Sequence, residues 1–243
     1  MIDVERAFAE FVPTFGGRLV DSMVGKSPAF ANADYLFDKD GIVVELKRLV
    51  DDKSEDVALQ NRIQAKFDSW MDDGTIPLVH GRVRIESKSL PLACQRELID
   101  LYKPPLQRRI IKANKQIKTT MQHLRLSNHK GVLLLVNDGN YAIESNAVLY
   151  LVGRVLGKNF RHINSVLYCT VNMFATAPIT SKPTLVWAHA TRKSVAEPVP
   201  DDWTMAFFRG WSAHLSKYLG APIEEILVAG AEDLEGIRYI RET

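Results

Sequence analysis

Three charged side chains near residue 40 have the types and spacing that metal-assisted hydrolysis requires. Glu45 and Lys47 interrupt a run that is otherwise isoleucine, valine and leucine, and Asp34 lies upstream of the turn before that run. Charges in an apolar strand are costly to bury without partners. Because side chains alternate along a strand, Glu45 and Lys47 would share one face. The pair is therefore a candidate for chemistry.

An acidic residue, one spacer and a lysine form a common pattern, so context must separate its occurrences. With 29 acids and 15 lysines in 243 residues, composition alone predicts roughly two occurrences of this pattern. The chain has three: Glu45-Leu46-Lys47, Asp51-Asp52-Lys53 and Glu86-Ser87-Lys88. The second lies in an acidic turn and the third in a polar segment without periodicity. Only the first lies within a predicted strand.

The residues before Glu45 predict a β-hairpin. Residues 33–37 have aromatic and apolar content typical of a strand, and residues 42–49 form a β-branched strand. Between them stands the turn signal Asp38-Lys39-Asp40-Gly41. Two short apolar runs around an Asp-Gly pair are the usual sequence of a hairpin.

The type of turn decides which residues share a face with Glu45. If Lys39-Asp40 is a two-residue loop, Asp34 falls opposite Glu45. If Asp40-Gly41 is the loop, Asp34 falls opposite Lys47. Either register gathers the three charged residues on one face, with opposed Cβ atoms roughly 5 Å apart. A three-residue loop would move Asp34 to the other face.

Such a cluster fits a divalent-metal site. Two carboxylates this close repel each other unless a cation lies between them. Mg²⁺ takes one or two carboxylates together with substrate phosphate oxygens, and it lowers the pKa of a bound water. Lys47 would steady the attacking water or the charge that develops on phosphorus. The residues predict phosphodiester hydrolysis, with Asp34 and Glu45 as ligands of Mg²⁺ or Mn²⁺.

This arrangement resembles the PD-(D/E)XK nuclease superfamily, which has the restriction-endonuclease-like fold. Asp34 at the start of one strand and Glu45-Leu46-Lys47 in the next match its motif, and Ala33 stands where the name-giving proline often does. The resemblance covers roughly residues 1–172, where helix, hairpin, helix, strand, helix and strand follow one another.

The resemblance implies several further properties. It implies Mg²⁺-dependent cleavage of DNA, less often of RNA, and frequent formation of a homodimer. It also implies a further acid on the helix before the hairpin, for which Glu10 or Glu5 is the candidate. The alternative is a catalytically inactive nuclease-like fold that serves as a nucleic-acid or protein-binding module.

The remaining segments predict an α/β protein with a mixed central sheet flanked by helices, around a restriction-endonuclease-like core. Apolar periodicity and capping residues predict helices over 4–11, 54–70, 91–102, 105–125, 144–157 and 202–219, and further strands over 131–136, 165–171 and 184–189. Pro13 should end the first helix, Ser54 should open the second, and Pro104-Pro105 should separate the third from the fourth. Strands alternating with helices indicate a partly parallel sheet. We expect one domain over 1–243, with a C-terminal extension from 173.

The stretch from residue 101 to residue 137 contains eight lysines and arginines and no acidic residue. On a helical wheel Arg108, Lys112 and Lys115 lie opposite the apolar face. Such a surface suits a phosphate backbone, and an ordinary solvated surface accounts for it equally well. Gln116 is a candidate for orienting water or a base, with a plain surface role as the alternative.

Composition narrows the class of protein. The formal net charge is +2, so charge alone does not indicate a nucleic-acid binder. Cys94 and Cys169 lack metal-ligand spacing and are expected as reduced thiols. The first residues carry acids where a secretory signal would be basic, and no run approaches the 18 apolar residues of a membrane span. We therefore expect a soluble, cytoplasmic protein whose partner is nucleic acid, most often DNA.

Overall fold

A six-stranded mixed sheet forms the centre of the structure. The computed structural model describes residues 1–25, 28–50, 56–79, 81, 85–157, 160–177, 180–192, 197–223 and 237–240. The strands are β1 (Arg18–Leu19), β2 (Tyr35–Phe37), β3 (Ile42–Leu49), β4 (Lys130–Asp138), β5 (Ser165–Val171), β6 (Ala175–Ala177), β7 (Thr180–Thr184), β8 (Trp187–Thr191) and β9 (Arg238–Tyr239). The large sheet has the spatial order β1-β2-β3-β4-β5-β8.

Strand directions divide this sheet into a parallel centre and antiparallel margins. β3, β4 and β5 pair in parallel. β1 and β2 pair antiparallel with their neighbours, and β8 runs antiparallel to β5. Parallel strands need a crossover between them, and helices supply both crossovers. The predicted α/β class, with a mixed sheet flanked by helices, is confirmed.

Seven α-helices are described, together with one 3₁₀ turn at Ser87–Ser89. The helices are α1 (Val4–Thr14), α2 (Asp21–Val24), α3 (Val57–Asp72), α4 (Leu92–Asp100), α5 (Lys103–His123), α6 (Ser145–Leu156) and α7 (Asp201–Leu219). Two apolar clusters show how they pack. α5 and α6 cover one face of the large sheet, whereas α1 and α7 cover the other.

Aromatic side chains join α1 to α7. Phe8 stacks on Trp211 with ring centroids 3.7 Å apart, and Phe11 meets Phe207 edge to face at 5.3 Å. Both phenylalanines are almost completely buried. The helical spacing that predicts α1 thus places these two rings on its buried side, and the contact closes one face of the sheet.

Prolines mark two places where the helices differ from expectation. Pro13 lies inside the last turn of α1, which ends at Thr14 rather than at residue 11. Pro104-Pro105 lies in the first turn of α5 rather than between two helices. The first helical turn has no intrahelical partner for its N–H groups, so a proline costs no hydrogen bond there.

The second predicted helix starts later than expected. Asp56 caps α3, and its side chain accepts a hydrogen bond from the backbone N–H of Leu59. The predicted opening residues Ser54 and Glu55 lie outside the described residues, as do Asp51-Asp52-Lys53. Cys94 and Cys169 are buried free thiols, as predicted. Among the described residues, no helix has the length and apolar character needed to cross a membrane.

A second, three-stranded sheet was not predicted. β6 pairs with β7 and with β9, giving the order β7-β6-β9. Its strands are short and lack the continuous apolar runs of β4 and β5, which are buried along almost their whole length. β9 lies far from β6 in sequence, so no local pattern could pair them.

Candidate active site

The hairpin register brings Asp34 to Glu45. Phe37 pairs with Ile42 and Tyr35 with Val44, and this register places Asp34 opposite Glu45. The backbone N–H of Asp34 also donates to Val44 at 3.2 Å. Of the two predicted registers, the one with Lys39-Asp40 at the tip is confirmed.

The charged residues face the side of the sheet that α5 covers. Val43 and Leu49 belong to the apolar cluster beneath α5 and α6, while Val44 and Leu46 belong to the cluster beneath α1 and α7. Because side chains alternate, Glu45 and Lys47 point with Val43 and Leu49 towards α5. The alternation that puts Glu45 and Lys47 on one face of β3 therefore also directs both side chains towards α5.

Glu45 is fully buried. Its Oε1 atom accepts a hydrogen bond from Nζ of Lys47, whose side chain is 15% exposed. Its Oε2 atom accepts no hydrogen bond from a donor group among the described residues, but the carboxyl groups of Glu45 and Asp34 form a side-chain hydrogen bond with each other. A hydrogen bond between two carboxyl groups needs a proton, so Glu45 holds a proton against Asp34 unless a cation takes its place.

The pKa values of both carboxyl groups are raised. Burial, together with the charge of Asp34, raises the pKa of Glu45 to about 8, against the opposing effect of Lys47. Burial also raises the pKa of Asp34, although the Leu46 N–H, 2.7 Å from its Oδ2, and the charge of Lys47 act in the other direction. A divalent cation bound to both carboxyl groups would replace the proton on Glu45 and lower both pKa values.

The donor set therefore fits a hard cation held by two carboxylates. Within the described part of the chain, no group of three or more His, Cys, Asp or Glu side chains is arranged to hold a metal. Mg²⁺ does not require a third, since it commonly keeps several waters and takes one or two carboxylates plus substrate oxygens.

Gln116 lies at the site rather than on open surface. Its Oε1 accepts a hydrogen bond from Nζ of Lys47 at 3.0 Å, and its Nε2 donates to the carbonyl of Asn32 at 2.7 Å. Gln116 thus contacts Lys47 and the segment before Asp34 at once. The sequence pointed to this residue only through its place on a basic helix.

Sequence reasoning missed one acidic neighbour of the site. The charge of Asp21, on α2, raises the pKa of Asp34. Asp21 accepts a hydrogen bond from Nδ2 of Asn32 at 2.7 Å and is exposed. No motif spacing marks Asp21, because it reaches the site through its contact with Asn32 and not through an element of the predicted hairpin.

The structure does not bring Glu10 or Glu5 to the carboxyl pair. Glu10 pairs with Arg6 at 2.8 Å and accepts from the hydroxyl of Tyr218. Glu5 lies 3.4 Å from the guanidinium of Arg48. Both glutamates are on α1, which packs on the opposite face of the sheet from Glu45 and Lys47.

The predicted basic face of α5 is exposed. Arg108, Lys112 and Lys115 all point to solvent, while Ile110 and Ile117 are buried against the sheet. Lys112 lies four residues before Gln116 and therefore on the same side of α5, so this face borders the carboxyl site that Gln116 contacts.

Further cations lie beside α5, around His162. Burial and the charges of Lys118, Arg161 and Arg192 lower the pKa of His162. The backbone N–H of His162 donates to Oδ1 of Asn114 on α5 at 3.0 Å. Three segments distant in sequence therefore contribute positive charge around His162. A sequence pattern within one helix could not indicate this grouping.

Comparison with known proteins gives no match, whether with protein-family models, with curated proteins or with solved structures. What the chain does must be inferred from the chemistry of its own site. One buried and one half-buried carboxyl group, one ammonium group and one carboxamide lie together beneath α5.

Proposed function

We propose that this protein is a metal-dependent nuclease that hydrolyses phosphodiester bonds, most often in DNA. One observation carries the proposal. The buried carboxyl group of Glu45 forms a hydrogen bond with the carboxyl group of Asp34 and another with Nζ of Lys47, and its Oε2 atom accepts from no donor group among the described residues. Two carboxyl groups that share a proton in the metal-free protein offer a divalent cation two oxygen ligands once that proton leaves.

Asp34 and Glu45 would hold Mg²⁺ or Mn²⁺, and the bound ion would supply an activated water and polarise the scissile phosphate. Lys47 would place its ammonium group against the attacking water or the phosphoryl oxygens, where negative charge grows in the transition state. Gln116 holds Nζ of Lys47 at 3.0 Å. The ammonium group is thus oriented before substrate arrives, so little reorganisation is required.

The fold supports membership of the PD-(D/E)XK superfamily. A helix, a hairpin that carries the motif, and strands β4 and β5 joined by α6 follow in the order that the resemblance implies. α3, α4 and α5 together form a longer connection between β3 and β4 than a minimal core requires. α5 is the helix that packs over β3, and it therefore takes the place behind the site.

Nucleic acid is the proposed partner because the exposed cations border the carboxyl site. Arg108, Lys112 and Lys115 form one charged row on α5, and the cations around His162 extend it. A homodimer, which is frequent in the superfamily, would present two such sites to one duplex.

Cleavage of plasmid DNA and of single-stranded RNA tests the proposal. We expect DNA cleavage with Mg²⁺ or Mn²⁺ and complete loss of cleavage on addition of EDTA, because the carboxyl pair alone cannot activate water. Restoring the metal should restore the activity. Folded protein that cleaves neither polymer with either metal would contradict the proposal.

A binding module without catalysis is the second candidate. It is favoured by the ion pair of Glu45 and Lys47, which partly neutralises the site without any metal. Calorimetric titration with Mn²⁺ separates the two candidates. A nuclease should bind Mn²⁺ and lose that binding in Asp34→Ala, whereas a binding module should show no Mn²⁺ site that depends on Asp34.

The row on α5 yields a quantitative prediction. Changing Arg108, Lys112 and Lys115 together to glutamate should weaken DNA binding similarly for unrelated sequences. Each lost phosphate contact should reduce the log–log salt slope by roughly one. Mn²⁺ binding should persist, because these residues lie on a different element from Asp34 and Glu45. Fluorescence anisotropy at several salt concentrations measures both quantities.

A matched control reverses three exposed basic residues away from α5, namely Arg62, Arg96 and Lys217. This variant has the same net charge as the α5 variant, so a general charge effect would weaken both equally. Unchanged affinity and slope in the α5 variant would show that this face is ordinary solvated surface.

A further inference from the structure

We propose that Thr120 and Gln116 are positioning residues, which fasten the segment 31–33 to α5 and thereby hold the Asp34 carboxyl group against Glu45. The effect of this positioning on catalysis rests on the proposed function, whereas the positioning itself does not. Neither residue needs to touch substrate in this role. Both act through the backbone that carries Asp34.

Thr120 is the anchor nearest to Asp34. It is fully buried, and its hydroxyl oxygen accepts a hydrogen bond from the backbone N–H of Ala33 at 2.7 Å, across 87 residues of sequence. Ala33 is itself fully buried. A buried N–H without a partner is costly, so this bond fixes the backbone immediately before Asp34.

Gln116 uses both ends of its carboxamide. Its Nε2 donates to the carbonyl of Asn32 at 2.7 Å, and its Oε1 accepts from Nζ of Lys47 at 3.0 Å. One side chain therefore links the segment before Asp34 to the lysine of the site. A shift of that segment would also move Lys47.

Three consecutive residues of the segment are bonded to one side of α5. The hydroxyl of Thr119 donates to the carbonyl of Ala31, and Asn32 and Ala33 bond to Gln116 and Thr120. Residues three and four apart lie on the same face of a helix, so positions 116, 119 and 120 form one row. This row holds the segment where no strand pairing does.

Asp34 itself is held from the other side by β3. Its Oδ2 accepts from the N–H of Leu46 at 2.7 Å, and its own N–H donates to Val44 at 3.2 Å. The carboxyl group thus lies between a strand and a segment fastened to a helix. Its position relative to Glu45 depends on both attachments.

Thr120→Val tests the anchor, because valine has nearly the same shape and cannot accept a hydrogen bond. We expect the Leu46 amide to exchange its hydrogen about tenfold faster than in the wild type, relative to the amides of β4. We also expect kcat to fall about tenfold while KM changes little. Thr120→Ser keeps the hydroxyl and should restore both. Hydrogen exchange followed by NMR gives the first readout.

Gln116→Glu is a second variant, and we expect it to fold because Gln116 is only partly buried. It retains an acceptor for Lys47, loses the donor to Asn32, and should show the same selective rise in Leu46 exchange. If the exchange rate of the Leu46 amide changes in both variants only as much as the rates of the β4 amides, the positioning role is overturned. Selective exchange in a protein that neither binds Mn²⁺ nor cleaves nucleic acid would uphold positioning and overturn the nuclease proposal.

Discussion

Changing Lys47 to alanine should lower kcat for cleavage by about 10²–10³-fold while the protein stays folded. The ammonium group is the one cation in contact with the Glu45 carboxylate in the described structure, and it lies where charge would develop on phosphorus. Removing one preorganised donor of this kind costs about 10²–10³-fold in kcat. The fold should survive, because Glu45 has a pKa of about 8 even beside Lys47 and can remain protonated at neutral pH.

Lys88→Ala is the matched control for this change. Lys88 follows an acid and one spacer, as Lys47 does, and pairs with Glu86 at 3.1 Å on the surface. Its loss should leave single-turnover cleavage and the far-ultraviolet circular dichroism unchanged. Equal activity in Lys47→Ala and wild type would remove Lys47 from the mechanism.

Glu45→Gln should stabilise the metal-free protein at high pH and eliminate Mn²⁺ binding. Folding raises the pKa of Glu45 from its ordinary value of 4.5 to about 8. The folded protein therefore keeps a proton that the unfolded chain loses as the pH rises above 4.5. The stability that this proton provides is fully present below pH 4.5 and is lost as the pH rises towards 8, by about 1.4 kcal/mol for each pH unit.

Glutamine has the same shape and cannot ionise, so the variant should lose less stability over this range. The slope that remains would combine the effect of Asp34, whose pKa burial raises, with that of His162, His189 and His214, whose pKa burial lowers. Urea unfolding between pH 5 and pH 9 measures the difference, and saturating Mn²⁺ should restore wild-type stability at high pH without affecting the variant. Parallel pH profiles for the two metal-free proteins would contradict the role of Glu45.

Local sequence was sufficient to put Asp34, Glu45 and Lys47 on one face of the hairpin, although it left two registers open. The period-two alternation of β3 put the last two on one face, and the turn at Lys39-Asp40 set the register that brought Asp34 opposite Glu45. Both effects act over a few residues. The long apolar strands β4 and β5 were predictable for the same reason.

Contacts across long separations could not be predicted. Thr120 contacts Ala33 across 87 residues and Gln116 contacts Asn32 across 84, and nothing in the sequence of α5 marks these side chains as anchors. Glu10 was a candidate because of its helix, yet the sheet separates α1 from the site. The packing of α1 decides which face of the sheet Glu10 lies on, and this packing cannot be predicted from a single sequence.

The pairing of α1 with α7 also has a consequence during protein synthesis. The hydroxyl of Tyr218 donates to Glu10 across 208 residues of sequence, and the rings of Phe8 and Phe11 rest on the same distant helix. At about 5–20 residues per second, a ribosome needs roughly 10–40 s to make the partner of α1. During that interval two phenylalanine rings remain without their native cover, and a nascent-chain chaperone would find α1 exposed until α7 emerges from the exit tunnel.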